Sequence, residues 1–257
     1  MFEKLIEEFS ALAEVEAVAL GGSRSGTRFD AKSDYDVYLY CTGPVAESCR
    51  REILEKYCCH IELGNCFWEL EDNCTMKNGV DIDILYRNLE DFAADVASVA
   101  ERFQARNGYT TCMWHNLQTC RILYDRNNGL QALKDRFQIP YPEPLRENII
   151  SRNRALLHGF LPSYDGQIWK AASRMDLVSI NHRVSAFLES YFDILFALNR
   201  QTHPGEKRLM ALCRESCPVL PENFEENISA LFADMFRNPE ALAGALTKII
   251  IELEKIL

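Results

Sequence analysis

The sequence lacks several features that would place it in a common class of protein. It contains ten cysteines but no Cys-x-x-Cys pair, so it indicates neither a disulfide framework nor a typical zinc site, and we expect reduced thiols. Cys58, Cys59 and His60 with Cys66 could form a metal site, but they lack the tight, paired spacing that is usual for zinc. No apolar run approaches the ~20 residues that cross a bilayer, and Met1 is followed by an amphipathic pattern instead of a signal peptide. We therefore expect a cytoplasmic protein that is neither exported nor embedded in a membrane.

Positive charge is also scarce. Lys and Arg total 28 against 38 Asp and Glu, which gives a formal net charge of −10. Because binding to nucleic acid depends on neutralising phosphates, this balance disfavours a nucleic acid partner and a role as a polymerase. With 257 residues, 47% of them apolar, the chain is long enough for one large or two modest domains.

A glycine-rich turn precedes a pair of aspartates. The apolar run at residues 17–20 is typical of a buried strand, and it ends at Gly-Gly-Ser, residues 21–23. Glycine permits a tight turn and the close approach of a ligand, so this bend predicts a cradle for a phosphate. After ten further residues, Asp34 and Asp36 begin a segment with strand propensity. Alternate residues of a strand share a face, so both carboxylates are expected to point the same way, where Mg²⁺ would suit them.

A second acidic segment, VDIDILY at residues 80–86, repeats this pattern. Asp81 and Asp83 fall on one face of the predicted strand, and its apolar residues fall on the other. If this strand lies beside the first, one of its aspartates completes a cluster of three carboxylates. Such a cluster can hold two metal ions ~3.5–4 Å apart, the arrangement used for in-line phosphoryl transfer.

Taken in order, these motifs resemble a known family. Hydrophobic-Gly-Gly-Ser, ten residues, Asp-x-Asp and a later hydrophobic-Asp-hydrophobic strand are similar to the nucleotidyltransferase superfamily, which includes DNA polymerase β and kanamycin nucleotidyltransferase. GSRSGTRFDAKSDYDVYLY resembles in particular its small bacterial members, among them the minimal nucleotidyltransferases. The resemblance implies an α/β (α+β) fold with a mixed sheet flanked by helices, followed by an all-α helical bundle.

The resemblance also implies the residues of a metal site. Asp34 and Asp36 would bind Mg²⁺, with two ions expected, and a third carboxylate would complete the catalytic set. Asp83 is implied as that third residue because Ile-Leu-Tyr-Arg follows it, with Asp81 as the alternative.

The nucleotide is expected at the glycine turn. The resemblance implies that Gly22 and Ser23 hold the phosphates of an NTP. Arg24 and Arg28 lie nearby in sequence, and each is open to a phosphate contact or to a structural ion pair. A Walker loop is excluded because no Lys-Ser or Lys-Thr follows the glycines, and the Gly-x-Gly-x-x-Gly fingerprint of dinucleotide-binding proteins is incomplete.

Periodicity and turn residues predict the rest of the first domain. We expect helices over residues 44–56 and 89–103, and strands over 59–63, 67–70 and 121–124. Asn65, Asp72 and Asn73 are interpreted as turn residues. His115 is the histidine most worth testing, although we expect a partly buried side chain with its hydrogen bonds satisfied.

Three prolines in IPYPEPL, residues 139–145, predict a linker because they stiffen the chain and disfavour helix. We predict a catalytic domain over residues 1–139 and a helical domain over residues 145–257. Helices are predicted over residues 147–160, 167–199, 205–213, 223–236 and 239–256. The resemblance implies that this domain walls the acceptor site, supplies acceptor specificity and forms a homodimer contact.

The expected activity is Mg²⁺-dependent transfer of a nucleoside monophosphate from an NTP to a hydroxyl of a small molecule, such as an aminoglycoside-like antibiotic, with release of pyrophosphate. Two alternatives stay open. The acceptor could be a protein side chain, as in an antitoxin-like modification of a partner. The chain could also be a nucleotide-binding regulator that has lost turnover.

Overall fold

A computed structural model of the chain describes residues 1–25, 33–67 and 69–257, so Arg28 and Trp68 lie outside the described residues. The described residues divide into two compact units, one of residues 1–97 and 116–139 and the other of residues 98–115 and 140–257. No described helix is both long and apolar enough to cross a membrane. That residues 1–139 and 145–257 fold as independent domains stays a prediction.

The first unit contains a mixed sheet of six strands in the order β3-β4-β5-β2-β1-β6. In chain order these are β1 (Val15–Leu20), β2 (Tyr35–Cys41), β3 (Cys58–Asn65), β4 (Glu71–Met76), β5 (Asp81–Asn88) and β6 (Arg121–Asp125). Strands β2 and β5 are parallel, whereas the other four neighbouring pairs are antiparallel. The predicted mixed sheet is therefore confirmed.

Alternation along the two central strands separates apolar from acidic side chains. Val37 and Leu39 of β2 and Ile82 and Ile84 of β5 are fully buried in one apolar core. Because successive side chains of a strand point to opposite faces, Asp83 is directed away from that core and is only partly buried. Burial of the apolar face thus fixes which way the acidic face points.

Within the described part of the chain before residue 140, five α-helices are interspersed with the strands. They are α1 (Phe2–Ser10), α2 (Glu47–Tyr57), α3 (Leu89–Ala100), α4 (Cys112–Thr119) and α5 (Gly129–Arg136). Leu5 of α1 and Leu54 of α2 are fully buried in the same core as the central strands. The predicted combination of a mixed sheet with flanking helices is confirmed.

The chain after residue 140 is helical. Its helices are α6 (Glu143–Leu157), α7 (Tyr164–Ala172), α8 (Leu177–Leu198), α9 (Leu209–Ser216), α10 (Phe224–Asp234) and α11 (Pro239–Glu254). Phe187, Tyr191 and Leu195 of α8 are fully buried, and they belong to one apolar cluster with residues of the other helices. The predicted helical portion is confirmed.

The strand predicted over residues 67–70 is wrong at residues 67, 69 and 70, the three that the structure describes. Its apolar ends are exposed, Phe67 by 73% and Leu70 by 42%, and the strand instead begins at Glu71. Asp72 and Asn73, interpreted as turn residues, lie within this strand, as Asn65 lies within β3. Polar residues are stable there because each has a partner: Asp72 forms a buried ion pair with Arg50 on α2, and Asn73 is hydrogen bonded across to β5.

Two helix predictions also need correction. The predicted helix over residues 167–199 is broken into α7 and α8, because Met175 adopts a left-handed φ of 52°. The Asp176 side chain then accepts a hydrogen bond from Ser179 N and so caps the start of α8. Pro144 lies in the first turn of α6, where a proline is tolerated, so the linker is shorter than predicted.

Candidate metal centre

The three predicted metal ligands converge in the structure. Asp36 of β2 is paired in register with Asp83 of β5, and Asp34 lies directly before β2. One carboxylate oxygen of each of the three residues lies within 4.8 Å of those of the other two. All three side chains are partly exposed, so the cluster is accessible from solvent.

Strand direction explains why these residues meet. Because β2 and β5 are parallel neighbours, both strands begin at the same edge of the sheet, and the aspartates near their beginnings lie side by side. Asp81 precedes Asp83 by two residues, but its carboxylate accepts a hydrogen bond of 2.8 Å from Thr75 Oγ1 and does not join the cluster. The geometry therefore favours Asp83 over Asp81 as the third carboxylate.

The glycine bend lies against the same cluster. Gly21 N donates a hydrogen bond of 2.8 Å to Asp36 O, which ties the bend to β2. Gly22 has a φ of 57°, and a Cβ at this position would lie 1.7 Å from Asp36 Oδ2. Only glycine fits here, for both the backbone conformation and the space. The structure thus brings the bend and the carboxylates together, as the sequence predicted.

Ser23 begins a short 3-10 helix, Ser23–Ser25, directly after the bend. Its side chain is exposed, so its hydroxyl is accessible beside the cluster. Ser25 Oγ donates a hydrogen bond of 2.8 Å to Gly22 O and closes the turn. Three residues of 3-10 helix are too few to produce a substantial helix dipole at this place.

Arg24 contacts the chain around Asp34. Its Nε donates hydrogen bonds to Ser33 O at 2.7 Å and to Asp34 O at 3.1 Å. Its guanidinium carbon lies 4.1 Å from the centre of the Tyr35 ring. Arg24 therefore holds the backbone that carries Asp34, whereas its contact with a nucleotide stays a prediction.

Sequence reasoning missed a pair of asparagines that orient Asp83. Asn73 Nδ2 donates to Asp83 Oδ1 at 2.7 Å, and Asn65 Nδ2 donates to Asn73 Oδ1 at 2.7 Å. This arrangement presents Asp83 with one oxygen occupied by an amide donor. The signal available in the sequence was alternation: Asn73 and Thr75 share one face of β4 and lie opposite Asp83 and Asp81 of β5.

A second group of residues, which the sequence patterns did not identify, packs against the glycine bend. A Cβ at Gly21 would lie 2.2 Å from the Tyr38 ring, so the bend rests directly on this tyrosine. The Tyr38 hydroxyl accepts a hydrogen bond of 2.8 Å from Asn116, and the Arg87 guanidinium lies 4.1 Å from its ring centre. Burial raises the pKa of Tyr38, which stays neutral under the site.

Arg87 is itself held by a partly buried ion pair. Its Nε and Nη2 donate to the two carboxylate oxygens of Glu69 at 2.7 and 2.8 Å. Burial acts to lower the pKa of Arg87, but the hydrogen bonds and charge of Glu69 outweigh burial and raise it. The side chain beneath the bend is therefore a fixed cation.

An open cavity of about 300 Å³ extends from the carboxylates over β3, β4 and β5. Its lining is largely polar, and half of its residues are acidic: Asp34, His60, Glu62, Asn73, Cys74, Thr75, Asp81 and Asp83. Such a surface attracts cations and hydroxyl groups and repels bare phosphates. A metal ion would be required before a triphosphate could approach it.

The donor set fits Mg²⁺. Three carboxylates supply hard oxygen ligands, and oxygens within 4.8 Å of one another can reach a common ion after small side-chain rotations. The other cluster considered from the sequence, Cys58, Cys59, His60 and Cys66, is not brought together as a metal-ligand group within the described residues. His115 is hydrogen bonded through Nδ1 to Thr202 Oγ1 at 2.8 Å and is partly buried, as expected.

No protein-family model matches the chain, and no curated protein matches it significantly. Among solved structures, it is similar to a nucleotidyltransferase-like protein from Exiguobacterium sibiricum, with 12% identity and a TM-score of 0.44 over 100% of this chain and 74% of that chain. An aminoglycoside 6-adenyltransferase from Bacillus subtilis matches with 9% identity and a TM-score of 0.32, over 100% and 89% of the two chains. A CCA-adding enzyme from Thermotoga maritima, complexed with tRNA, matches with 9% identity and a TM-score of 0.32, over 99% and 80%.

The first two of these names agree with the superfamily that the sequence pattern resembles.

Proposed function

We propose that this chain is a Mg²⁺-dependent nucleotidyltransferase, which moves a nucleoside monophosphate from an NTP to a hydroxyl of a small molecule and releases pyrophosphate. The observation that carries this proposal is the convergence of Asp34, Asp36 and Asp83 within 4.8 Å of one another, directly beside the bend at Gly22. Carboxylates at a phosphate-sized backbone cradle are the parts that nucleotidyl transfer requires.

Asp34, Asp36 and Asp83 would hold the metal through their carboxylate oxygens. When bound, Mg²⁺ neutralises charge on the triphosphate and makes the acceptor hydroxyl more acidic. The bend at Gly22 brings backbone close to Asp36, and the exposed hydroxyl of Ser23 is available to the β- and γ-phosphates. The absence of a side chain at Gly22 leaves this approach open.

Asp83 is the best-placed base. Its Oδ1 accepts a hydrogen bond from Asn73, and this bond fixes the orientation of the carboxylate. The other oxygen, Oδ2, is then the one that would accept the proton. In the proposed reaction, the acceptor oxygen forms a bond to the α-phosphorus, the bond from phosphorus to pyrophosphate breaks, and the hydroxyl proton passes to Asp83 and then to solvent. Asn73 is a positioning residue for this step.

Transfer of an α-phosphate label tests the proposal. The purified chain is incubated with each of four α-labelled NTPs, Mg²⁺ and a panel of hydroxylated antibiotics or a small-molecule extract, and the products are separated. We expect labelled acceptor with the native chain, and a loss on the order of 10²–10³-fold in Asp36→Asn. Asp81→Asn is the matched control, because Asp81 lines the same cavity but bonds to Thr75.

Two outcomes would contradict the small-molecule proposal. Label that appears on a protein in crude extract, and on no small molecule, would favour the antitoxin-like alternative. Mg-NTP that binds without pyrophosphate release with any acceptor would favour a regulator. Equal transfer by the native chain and Asp36→Asn would remove the carboxylate cluster from the mechanism altogether.

A further inference from the structure

The helical unit contains a second cavity, of about 630 Å³, between α8, α9 and α10. This volume falls within the ~300–1,000 Å³ that is usual for small-molecule sites. Much of its wall is apolar, including Leu188, Phe192, Ile228 and Phe232. Phe232 is 55% exposed, so an apolar ring stands at the surface beside the cavity.

Two carboxylates line the same cavity, those of Glu189 and Glu206. Neither has a hydrogen-bond or ion-pair partner at contact distance within the described part of the chain. Burial raises the pKa of Glu189, and the smaller effect of His182 only partly offsets it. Glu189 is partly buried at an apolar wall without such a partner, which is unfavourable, and a bound cation would relieve this cost.

Tyr109 brings an aromatic ring to these carboxylates. Burial raises the pKa of the Tyr109 hydroxyl to about 12, and the nearby charges of Glu189 and Glu206 add to this effect. The lining contains one guanidinium, that of Arg208, against the two carboxylates. The local charge therefore favours a cation over an anion.

The backbone at Tyr109 is held by buried hydrogen bonds. Gly108 and Tyr109 both have left-handed φ angles, of 85° and 51°. Thr110 N and Oγ1 donate to the two carboxylate oxygens of Asp193 at 3.0 and 2.7 Å, and Gly108 N donates to Asn153 Oδ1 at 3.1 Å. The ring is thus presented to the cavity by a rigid segment, at the cost of an unfavourable conformation for tyrosine.

We propose that this cavity binds a small organic ammonium ion with an aromatic or similarly apolar body. The ammonium group would lie between Glu189 and Glu206, beside the Tyr109 ring, which can add a cation–π interaction. The body would pack on Leu188 and Phe192. This site does not use the carboxylates of Asp34, Asp36 and Asp83, so the proposal stands apart from nucleotidyl transfer.

Calorimetric titration of the whole chain with 2-phenylethylammonium chloride tests the proposal, with 2-phenylethanol as the neutral probe of the same shape. We expect saturable binding of the ammonium ion and at least ~10-fold weaker binding of the alcohol. Glu189→Gln and Glu206→Gln are each expected to weaken binding of the ammonium ion by at least ~10-fold. Glu240→Gln removes an exposed carboxylate away from the cavity and should bind as the native chain does.

Glu206 is exposed, so its variant keeps the test valid if Glu189→Gln fails to fold. Equal affinity for the two probes, no saturable binding of either, or unchanged affinity in both glutamine variants would overturn the proposal. Asp36→Asn should bind the ammonium ion as the native chain does. Failure of the metal centre and failure of this cavity are therefore distinguishable.

Discussion

Asp36 and Asp83 lie directly opposite each other on two parallel neighbouring strands, and Asp34 brings a third carboxylate within 4.8 Å of both. Like charges at this distance repel, so the arrangement costs stability unless a cation lies among them. The chain nevertheless keeps all three. This relationship is the strongest indication that the cluster holds a divalent ion.

Asp34→Asn should therefore stabilise the chain when no metal is present. Removing one of three mutually repelling charges is expected to raise the free energy of unfolding by about 1 kcal/mol in the presence of EDTA. Added Mg²⁺ should raise the unfolding midpoint of the native chain but not that of the variant. Urea titrations with EDTA and with Mg²⁺ measure both effects, and a variant that is less stable than the native chain in EDTA would contradict this account.

Gly22→Ala should abolish metal binding. The new Cβ would lie 1.7 Å from Asp36 Oδ2 and would displace that carboxylate or the bend itself. Gly79→Ala is the matched control, since Gly79 also has a positive φ, of 82°, but has open space around its Cβ position. Both variants are expected to lose about 1 kcal/mol of stability from backbone strain. Only Gly22→Ala should lose binding of Mn²⁺, which serves as a paramagnetic probe of the divalent-ion site. Binding is measured by the decrease of the electron paramagnetic resonance signal of free Mn²⁺.

Asn73→Ala tests the orientation of Asp83. Loss of the 2.7 Å hydrogen bond to Asp83 Oδ1 leaves the carboxylate free to rotate, and we expect Mn²⁺ affinity to fall by ~10- to 100-fold. Thr75→Val removes the corresponding donor to Asp81 and should leave Mn²⁺ affinity unchanged. If the two variants bind Mn²⁺ equally well, Asn73 does not position a metal ligand.

Much of the site could be predicted because its chemistry follows sequence order. The glycine bend, the Asp-x-Asp segment and the second acidic strand each have a local signal, and alternation with buried Val37 and Ile84 fixes the side on which the acids lie. The pairing of β2 with β5 could not be derived from local pattern. It depends on which strands become neighbours, and this is decided by packing of the whole sheet.

The residues that support the site were hidden for a related reason. Asn73 and Asp72 have turn propensity, and only partners on other elements make them stable within β4. Arg28 lies outside the described residues, so its predicted contact with a phosphate or an ion-pair partner stays untested. The break at Met175 was missed because the apolar period continues across it. The only local mark of the break is the cap at Asp176, which involves a few residues and is weaker than the long apolar pattern.

Stability should depend on pH through two buried groups of the helical unit that act in opposite directions. Burial lowers the pKa of His203 to about 3, so the unfolded chain binds the extra proton and stability is lost as pH falls below the ordinary histidine value of 6.5. Burial raises the pKa of Asp193 to about 6, so its contribution is fully present below the ordinary value of 3.8 and is lost as pH rises through 6. Asp193 therefore opposes acid destabilisation.

Asp193→Asn should make acid destabilisation steeper. Between about pH 7 and about pH 5, the variant is expected to lose about 1 kcal/mol more of its free energy of unfolding than the native chain does. The comparison of slopes cancels any cost of the substitution that is independent of pH. Urea titrations, followed by the circular dichroism of the helices, give the free energy of unfolding at each pH. Parallel pH profiles of the two proteins would show that Asp193 does not titrate in this range.

The most direct test of the metal centre is a Mn²⁺ titration of three proteins: the native chain, Asp83→Asn and Asp81→Asn. Free Mn²⁺ is measured by electron paramagnetic resonance. The two variants remove one carboxylate each from the same face of β5, so they differ only in whether that carboxylate belongs to the cluster with Asp34 and Asp36. We predict that Asp83→Asn loses Mn²⁺ binding by at least ~10-fold while Asp81→Asn retains the native affinity. Equal affinity in all three proteins, or a greater loss in Asp81→Asn, would contradict the assignment of this cluster as a divalent-ion site.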